Sequence, residues 1–200
     1  MNVYILLDRS GSMSYLWTEA IGSINSYVSK LDAEDYVCMA IFDNESYDII
    51  RDCKVSDWNI VEWTSYAPRG MTPLYDSCGK LMSRAVADNS DKTILVVMTD
   101  GHENCSKEYT HASIKSRIKE FEDRKWEVIF LGANFDQVSD VAAGLGLAGS
   151  KFTNISAENL RTFTTTTLAT STAMYKSGHD ITFTAEDKLK ANSKENSSNA

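Results

Sequence analysis

The sequence lacks the features that mark several specialised classes of protein. No apolar run comes near the roughly 18 residues that a membrane-spanning helix needs. No stretch of Lys or Arg offsets the formal net charge of −8, so we do not expect nucleic acid as a partner. The chain begins at once with an apolar, strand-like run instead of a charged region and a cleavage site, so no signal peptide is expected. These absences predict a cytoplasmic protein that binds neither membranes nor nucleic acids.

Cysteine is also scarce, and its spacing excludes the common cysteine motifs. Cys38, Cys53, Cys78 and Cys105 form no CxxC pair, which favours reduced thiols over a disulfide or a zinc site. Phosphate-binding loops are missing as well, because GLGLAG at 144–149 lacks the GxGxxG order and no GK[ST] sequence occurs.

What the sequence does contain is a series of short apolar runs that do not alternate with polar residues. Such runs are typical of strands in a parallel sheet whose two faces are both covered. A further run, 46–55, follows its predecessor after only Asp43, Asn44 and Glu45, which permits a hairpin but no helical crossover. We therefore predict one antiparallel strand, at the sheet edge. The other predicted strands are 3–7, 36–42, 94–98, 128–131 and a short one at 151–155.

Helical periodicity fills the stretches between these strands. Apolar residues spaced by three and four predict a helix over about 14–31 and another after Pro73. A third precedes the strand near 127, and a short fourth covers 136–146. Strands that alternate with helices predict an α/β fold: a Rossmann-like open sheet, mostly parallel, with helices on both faces.

The domain organisation follows from the same pattern. Residues 1–177 are expected to form one domain, in which the threonine-rich stretch 157–177 is a final helix because its apolar residues share one face. Residues 178–200 turn polar and are expected to be a flexible C-terminal tail.

Polar clusters follow the predicted strands where ligands bind to an open parallel sheet. DRSGSM at 8–13 directly follows the first strand, and TDG at 99–101 directly follows the fourth. A third cluster, RGMTPLYDS at 69–77, leads into the second long helix. Together they offer two carboxylates and three hydroxyls, an all-oxygen set that suits Mg²⁺ or another hard cation.

These three motifs, in this order and at strand ends, resemble the metal-ion-dependent adhesion site of the von Willebrand factor A domain family. The resemblance covers about residues 1–177. Within the family, the chain is similar to small stand-alone members from bacteria and their viruses. It implies that Ser10, Ser12 and Thr72 bind the metal through hydroxyls, and that Asp8 and Asp100 bind it directly or through water.

The resemblance also implies a function without catalysis, namely metal-dependent binding of another protein. Mg²⁺ is the expected ion, with Mn²⁺ or Ca²⁺ as alternatives, and an acidic side chain of the partner would complete its coordination. One departure from the family pattern is Met71, which stands where many members have a second glycine. Neither the partner nor the oligomeric state is specified by the sequence.

Three other interpretations remain open at the level of sequence. Ser10 and Ser12 are also suitable caps for the following helix. Asp8 with Mg²⁺ is compatible with a phosphotransfer or hydrolase enzyme, although the second aspartate that one such class uses is replaced here by Ser10. The chain is also compatible with a structural subunit whose metal site binds a neighbouring copy. The acids Asp43 and Glu45 lie beside the expected site and are compatible with a tuning role there, although acids of a hairpin turn are usually only solvated.

Overall fold

The computed structural model describes residues 1–193 and contains one six-stranded sheet. The strand order is β3-β2-β1-β4-β5-β6, and every neighbouring pair is parallel except β2 with β3. The predicted antiparallel edge strand and the predicted mostly parallel sheet are thus confirmed. The strands are β1 Asn2–Asp8, β2 Tyr36–Phe42, β3 Tyr47–Lys54, β4 Thr93–Thr99, β5 Glu127–Ala133 and β6 Phe152–Ile155.

Helices cover both faces of this sheet, as the unbroken apolar runs predict. Alternate residues of β1 point to opposite faces: Val3 and Ile5 join one buried cluster, whereas Tyr4 and Leu6 join the other. The first face is covered by α1, α5 and α6, and the second by α2, α3 and α4. The helices are α1 Trp17–Val28, α2 Leu74–Asp88, α3 His111–Asp123, α4 Val138–Gly144, α5 Leu160–Phe163, α6 Ala169–Lys176 and α7 Ala185–Asn192.

The threonine-rich segment forms a continuous helical stretch, in which a π-helical turn at Thr164–Leu168 joins α5 to α6. Its threonines do not compete with the helix, because their hydroxyls bond to carbonyls that the helix presents. Thr166 donates to the carbonyl of Thr162 at 2.7 Å, and Thr164 donates across to Ser23 of α1 at 3.1 Å. These bonds explain how a residue with middling helix propensity supports a packed helix here.

The structure contradicts the expectation of a flexible tail for the part of 178–200 that it describes. Ile181 and Phe183 are buried, and the ring of Phe183 lies against Phe163 with centroids 5.2 Å apart. Beyond them, a capping box at Thr184 starts α7, which packs along β6. Two apolar residues in a polar stretch are too few to predict a packed segment from periodicity, but their burial is enough to anchor this segment to the domain. The end of the predicted tail, 194–200, lies outside the described residues.

Two further observations concern membrane-spanning helices and disulfide bonds, neither of which the sequence leads us to expect. Within residues 1–193, no helix is both long and apolar enough to cross a membrane. All four cysteines are free thiols, as their spacing predicts.

Candidate metal centre

The predicted site residues meet at the end of the sheet where the central strands β1 and β4 terminate. Asp8 is the last residue of β1, and Asp100 directly follows β4. These two strands are neighbours in the sheet, with Leu7 in register with Met98. The sheet therefore brings together two carboxylates that are far apart in the sequence.

The two serines lie in a 3₁₀ turn that follows β1, Gly11–Tyr15, with Ser10 as its first flanking residue. Their hydroxyl oxygens are 3.1 Å apart, and Ser12 donates a hydrogen bond to Asp100 Oδ1 at 2.7 Å. The first and third predicted clusters are thus in direct contact. Neither serine caps a helix, since Ser10 makes no side-chain capping bond and α1 begins only at Trp17.

Thr72 approaches the same point from the second cluster. A Cβ placed on Gly101 would lie 3.9 Å from both Ser12 Oγ and Thr72 Oγ1, so both hydroxyls border the same glycine. Asn104 holds the Thr72 backbone from both sides. Its side-chain oxygen accepts from Thr72 N at 2.9 Å, and its own N–H donates to the Thr72 carbonyl at 3.1 Å. All five predicted ligands are therefore grouped at one end of the sheet.

The two carboxylates of this site carry charge that the protein does not neutralise. Asp8 is fully buried, and burial raises its pKa to about 6, against the opposing effect of hydrogen bonds from Thr99 and Ser10. Burial likewise raises the pKa of Asp100, although the bond from Ser12 opposes it. Within the described residues, no Lys, Arg or His forms a salt bridge with either carboxylate. The site is therefore electrostatically prepared for a cation.

A hard divalent cation fits this donor set. Two carboxylates and three hydroxyls give oxygen ligands only, which Mg²⁺, Mn²⁺ and Ca²⁺ prefer. In the part of the chain that the structure describes, no group of three or more His, Cys, Asp or Glu side chains is arranged to hold a metal. Any cation at this edge would therefore depend on the hydroxyls of Ser10, Ser12 and Thr72 as well as on the two aspartates.

The hairpin between β2 and β3 corrects one interpretation of the sequence. Asp43 is not a solvated turn residue, because it is buried and its Oδ2 accepts hydrogen bonds from Arg9 and Arg69, at 2.8 and 3.0 Å. Glu45 remains exposed and lies 3.2 Å from Arg69. The reason is tertiary: the side chain of Arg9, which directly follows Asp8, turns away from the site and toward this hairpin.

Three positioning contacts have no strong signal in the sequence. Thr99 donates to Asp8 Oδ2 at 2.7 Å, but the sequence indicates only that it is the last residue of a buried strand. Asn104 reads as part of a polar loop, and Arg9 reads as an exposed turn residue. Their partners lie 32 or more residues away, so local periodicity carries no information about them.

The aromatic cluster before Thr72 divides between the core and the surface. Trp58 and Tyr66 pack against the buried cluster of the first face. Trp63 is about half exposed, and its carbonyl accepts a hydrogen bond from the indole of Trp17. Tyr15 and Met71, which flank the predicted ligands in the sequence, are also exposed large side chains.

Sequence comparison finds no matching family model and no significantly similar curated protein. Comparison of structures does find matches. The von Willebrand factor domain of the type V pili tip protein Mfa5 from Porphyromonas gingivalis aligns with a TM-score of 0.65 at 10% identity, over 90% of this chain and 97% of that chain. The von Willebrand factor type A protein from Catenulispora acidiphila aligns with a TM-score of 0.59 at 16% identity, over 82% and 42%.

The pilus adhesin SpaC from Lactobacillus rhamnosus GG also aligns, with a TM-score of 0.65 at 13% identity, over 85% of this chain and 29% of that chain. This chain thus spans less than half the length of several solved chains that it resembles. The chain has a von Willebrand factor A-like fold, and the solved structures that resemble it include a pilus adhesin, a minor pilin and a pilus tip protein. They give no support to a cytoplasmic location.

Proposed function

We propose that this protein is a divalent-metal-dependent protein-binding module, without catalytic activity, whose bound Mg²⁺ captures an acidic side chain of a partner. The observation that carries the proposal is the convergence of two unneutralised carboxylates and three hydroxyls at one edge of the sheet. An adhesion-type fold, shared with pilus adhesins, supports the same conclusion at a coarser level.

In this proposal the five ligands have different tasks. Ser10, Ser12 and Thr72 would bind the ion through neutral hydroxyls, and Asp8 and Asp100 would offset its charge directly or through water. When bound, the ion supplies a positive charge that attracts a carboxylate from outside the chain. The ligand set suits Mn²⁺ and Ca²⁺ as well.

The surroundings of Thr72 offer room for a partner. A cavity of about 320 Å³ lies on the hairpin side of Thr72, lined in part by Tyr47, Met71, Pro73 and Cys105. Met71 is about half exposed between this cavity and the predicted ligands. A partner that places its carboxylate on the ion would therefore meet a mixed surface beside it, apolar at Tyr47, Met71 and Pro73 and charged at residues such as Lys80 and Glu108.

The enzymatic alternative gains less support. Both oxygens of Asp8 already accept hydrogen bonds, from Ser10 N at 2.7 Å and from Thr99 Oγ1 at 2.7 Å. Ser12 donates to Asp100 and, among the contacts of the described residues, has no histidine as hydrogen-bond partner. These contacts hold the two carboxylates in place, and they supply no base that would activate a serine nucleophile. Self-assembly through the same site, as in a pilus-type subunit, stays a variant of the proposed binding function.

Two serines of one turn provide a matched test of the metal site. Ser12→Ala should abolish Mg²⁺ or Mn²⁺ binding in calorimetry, because it removes a ligand. Ser14→Ala should bind like the wild type, since the one side-chain hydrogen bond of Ser14 within residues 1–193 goes to the Gly11 carbonyl of its own turn. Undiminished binding by Asp8→Ala, Ser12→Ala and Thr72→Ala would contradict the assignment.

The binding function is tested by affinity capture in Mg²⁺ against EDTA, with wild type and Asp8→Ala compared. We expect a partner that is retained only by the wild type in Mg²⁺. Concentration-dependent sizing with and without EDTA identifies self-assembly. Release of phosphate from phosphomonoesters, lost in Asp8→Ala, would instead establish the enzymatic function.

A further inference from the structure

Two arginines flank the candidate metal site in the sequence, yet neither pairs with its carboxylates. Arg9 directly follows Asp8, and Arg69 lies three residues before Thr72. Both side chains instead reach Asp43, whose Oδ2 accepts from Arg9 Nε at 2.8 Å and from Arg69 Nε at 3.0 Å. One buried carboxylate thus binds both cationic side chains that border the site.

The rest of the β2–β3 hairpin strengthens this capture. Arg9 also lies 3.3 Å from Asp48, and Arg69 lies 3.2 Å from Glu45. The Asp43 carboxylate is itself fixed, because its Oδ1 accepts the backbone N–H of Glu45 at 2.6 Å and of Ser46 at 2.9 Å. The hairpin therefore presents a rigid acceptor to both guanidinium groups.

These ion pairs are not needed to connect the loops that carry the metal ligands. Backbone hydrogen bonds already do so: Arg9 N donates to the Phe42 carbonyl at 2.8 Å, Arg69 N to the Arg9 carbonyl at 2.9 Å, and Gly11 N to the Gly70 carbonyl at 3.2 Å. The ion pairs of Arg9 and Arg69 are therefore an addition to contacts that already join these loops.

Both arginines begin close enough to the site to disturb it. Arg9 is adjacent in sequence to Asp8, and the carbonyl carbon of Arg69 lies 3.9 Å from the position of a Cβ on Gly11, which stands between Ser10 and Ser12. A released guanidinium would find Asp8 and Asp100 without a cationic partner. It would bind these carboxylates through charge-assisted hydrogen bonds, and it would repel a divalent cation.

We propose that Asp43 is a positioning residue that keeps the candidate metal site open, by holding Arg9 and Arg69 away from Asp8 and Asp100. The inference rests on the proposed metal site and adds a means of controlling it. In this arrangement Asp43 prevents an internal cation from occupying the place of the external one. Release of either arginine from Asp43 closes the site without any change in its five ligands.

Mn²⁺ titration of the full chain, followed by the free-ion EPR signal, tests this proposal. Asp43→Asn should weaken Mn²⁺ binding roughly 10- to 100-fold. This is the usual range when a residue is lost that supports metal binding without contacting the metal. The triple variant Asp43→Asn/Arg9→Met/Arg69→Met should regain affinity, because it removes the competing charges together with their acceptor. Asp52→Asn is the control: this acid of the same hairpin pairs with Arg84, and the pair lies away from the site.

Because loss of Asp43 leaves Arg9 buried without its main partner, a variant that keeps Asp43 is included. Arg69→Met leaves the Asp43–Arg9 pair intact and should bind Mn²⁺ at least as tightly as the wild type. A purely structural role for the network predicts the opposite, namely weaker binding by Arg69→Met and by the triple variant. That result, or wild-type affinity in a folded Asp43→Asn, would overturn the inference while the metal site stands. No Mn²⁺ binding by the wild type would overturn the metal site itself, and this inference with it.

Discussion

Asp8 and Asp43 are buried carboxylates at the ends of neighbouring parallel strands, but their surroundings give them opposite properties. Asp8 ends β1 in register with Phe42, the last residue of β2, and Asp43 follows next. Burial raises the pKa of Asp8 to about 6. Burial also acts to raise the pKa of Asp43, but hydrogen bonds from Ser46, Glu45 and Arg69 outweigh it, and the pKa lies below its ordinary value.

The difference separates a structural carboxylate from one that is available for binding. The protein provides Asp43 with two arginines and two backbone N–H groups, so its charge is satisfied internally. It provides Asp8 with one backbone N–H and one hydroxyl, and with no cation among the described residues. Equal burial therefore indicates nothing about function until the compensating charges are counted.

The largest effect that tests this comparison is expected at Asp43. Asp43→Asn should lower the free energy of unfolding in EDTA by about 3–5 kcal/mol, because the buried Arg9 loses its closest counter-charge and keeps only the half-exposed Asp48. Urea denaturation at pH 7 measures this. Asp52→Asn should cost no more than about 1 kcal/mol, because its pair with Arg84 is partly exposed to solvent. Equal losses in the two variants would mean that the Asp43 pair is no stronger than a surface salt bridge.

The second effect has the opposite sign and is expected at Asp8. In EDTA, Asp8→Asn should raise the free energy of unfolding at pH 7 by up to about 2 kcal/mol, because it removes a buried charge without a partner. The asparagine oxygen can still accept from Ser10 N, so the local geometry is retained. Saturating Mg²⁺ should stabilise the wild type and leave the variant unchanged. A loss of stability in EDTA would show that Asp8 is structural, like Asp43.

Asp76 extends the comparison to a carboxylate that is satisfied by the backbone alone. It accepts N–H groups of Lys107, Glu108 and Tyr109 at 2.8, 2.9 and 2.7 Å. Burial acts to raise its pKa, but these bonds outweigh it, so the pKa lies below the ordinary 3.8. A lowered pKa stabilises the fold above pH 3.8, and this contribution is lost as the pH falls through the folded-state pKa.

Asp76→Asn should therefore cost about 1–2 kcal/mol at pH 7, since an amide group replaces one acceptor oxygen. The difference between wild type and variant should shrink as the pH falls below about 4. Denaturant unfolding of both proteins at pH 7 and pH 3 measures it. A difference that does not change with pH would contradict the charged hydrogen bonds to this loop.

Asp8 and Asp43 also show how much of this structure can be predicted from the sequence alone. Apolar runs and helical spacing predict the six strands and the main helices, because both faces of the central strands β1, β2, β4 and β5 are buried. The partly exposed edge strand β3 is predicted from the short turn that precedes it. Asp8 is predicted as a site residue because its motif is local. Asp43 is misinterpreted because its arginine partners lie 34 and 26 residues away and are brought to it only by folding.

Helix α7 is not predicted from the sequence, for a similar reason. Ile181 and Phe183 are two apolar residues in a polar stretch, and only the groove beside β6 and Phe163 gives them a place to pack. Thr99 and Asn104 are likewise unremarkable polar residues until the fold places them beside Asp8 and Thr72. The sequence thus predicts the layers and the candidate ligands, whereas the contacts that position those ligands depend on tertiary structure.

The smallest predicted effect concerns Met71, in the loop that connects the hairpin to the candidate ligand Thr72. Its N–H donates to Asn44 Oδ1 at 2.6 Å, so this loop is held from the hairpin side through its backbone. Met71→Gly should lower the free energy of unfolding by about 0.5–1 kcal/mol, because glycine gains more freedom in the unfolded chain. Met71→Ala is the matched control and should change it by no more than about 0.5 kcal/mol, since the side chain is about half exposed. Mn²⁺ affinity should be retained in both variants, because backbone bonds from Asn44 and Asn104 still place Thr72. Loss of affinity in Met71→Gly alone would show instead that stiffness at position 71, and not these bonds, keeps the threonine hydroxyl at the site.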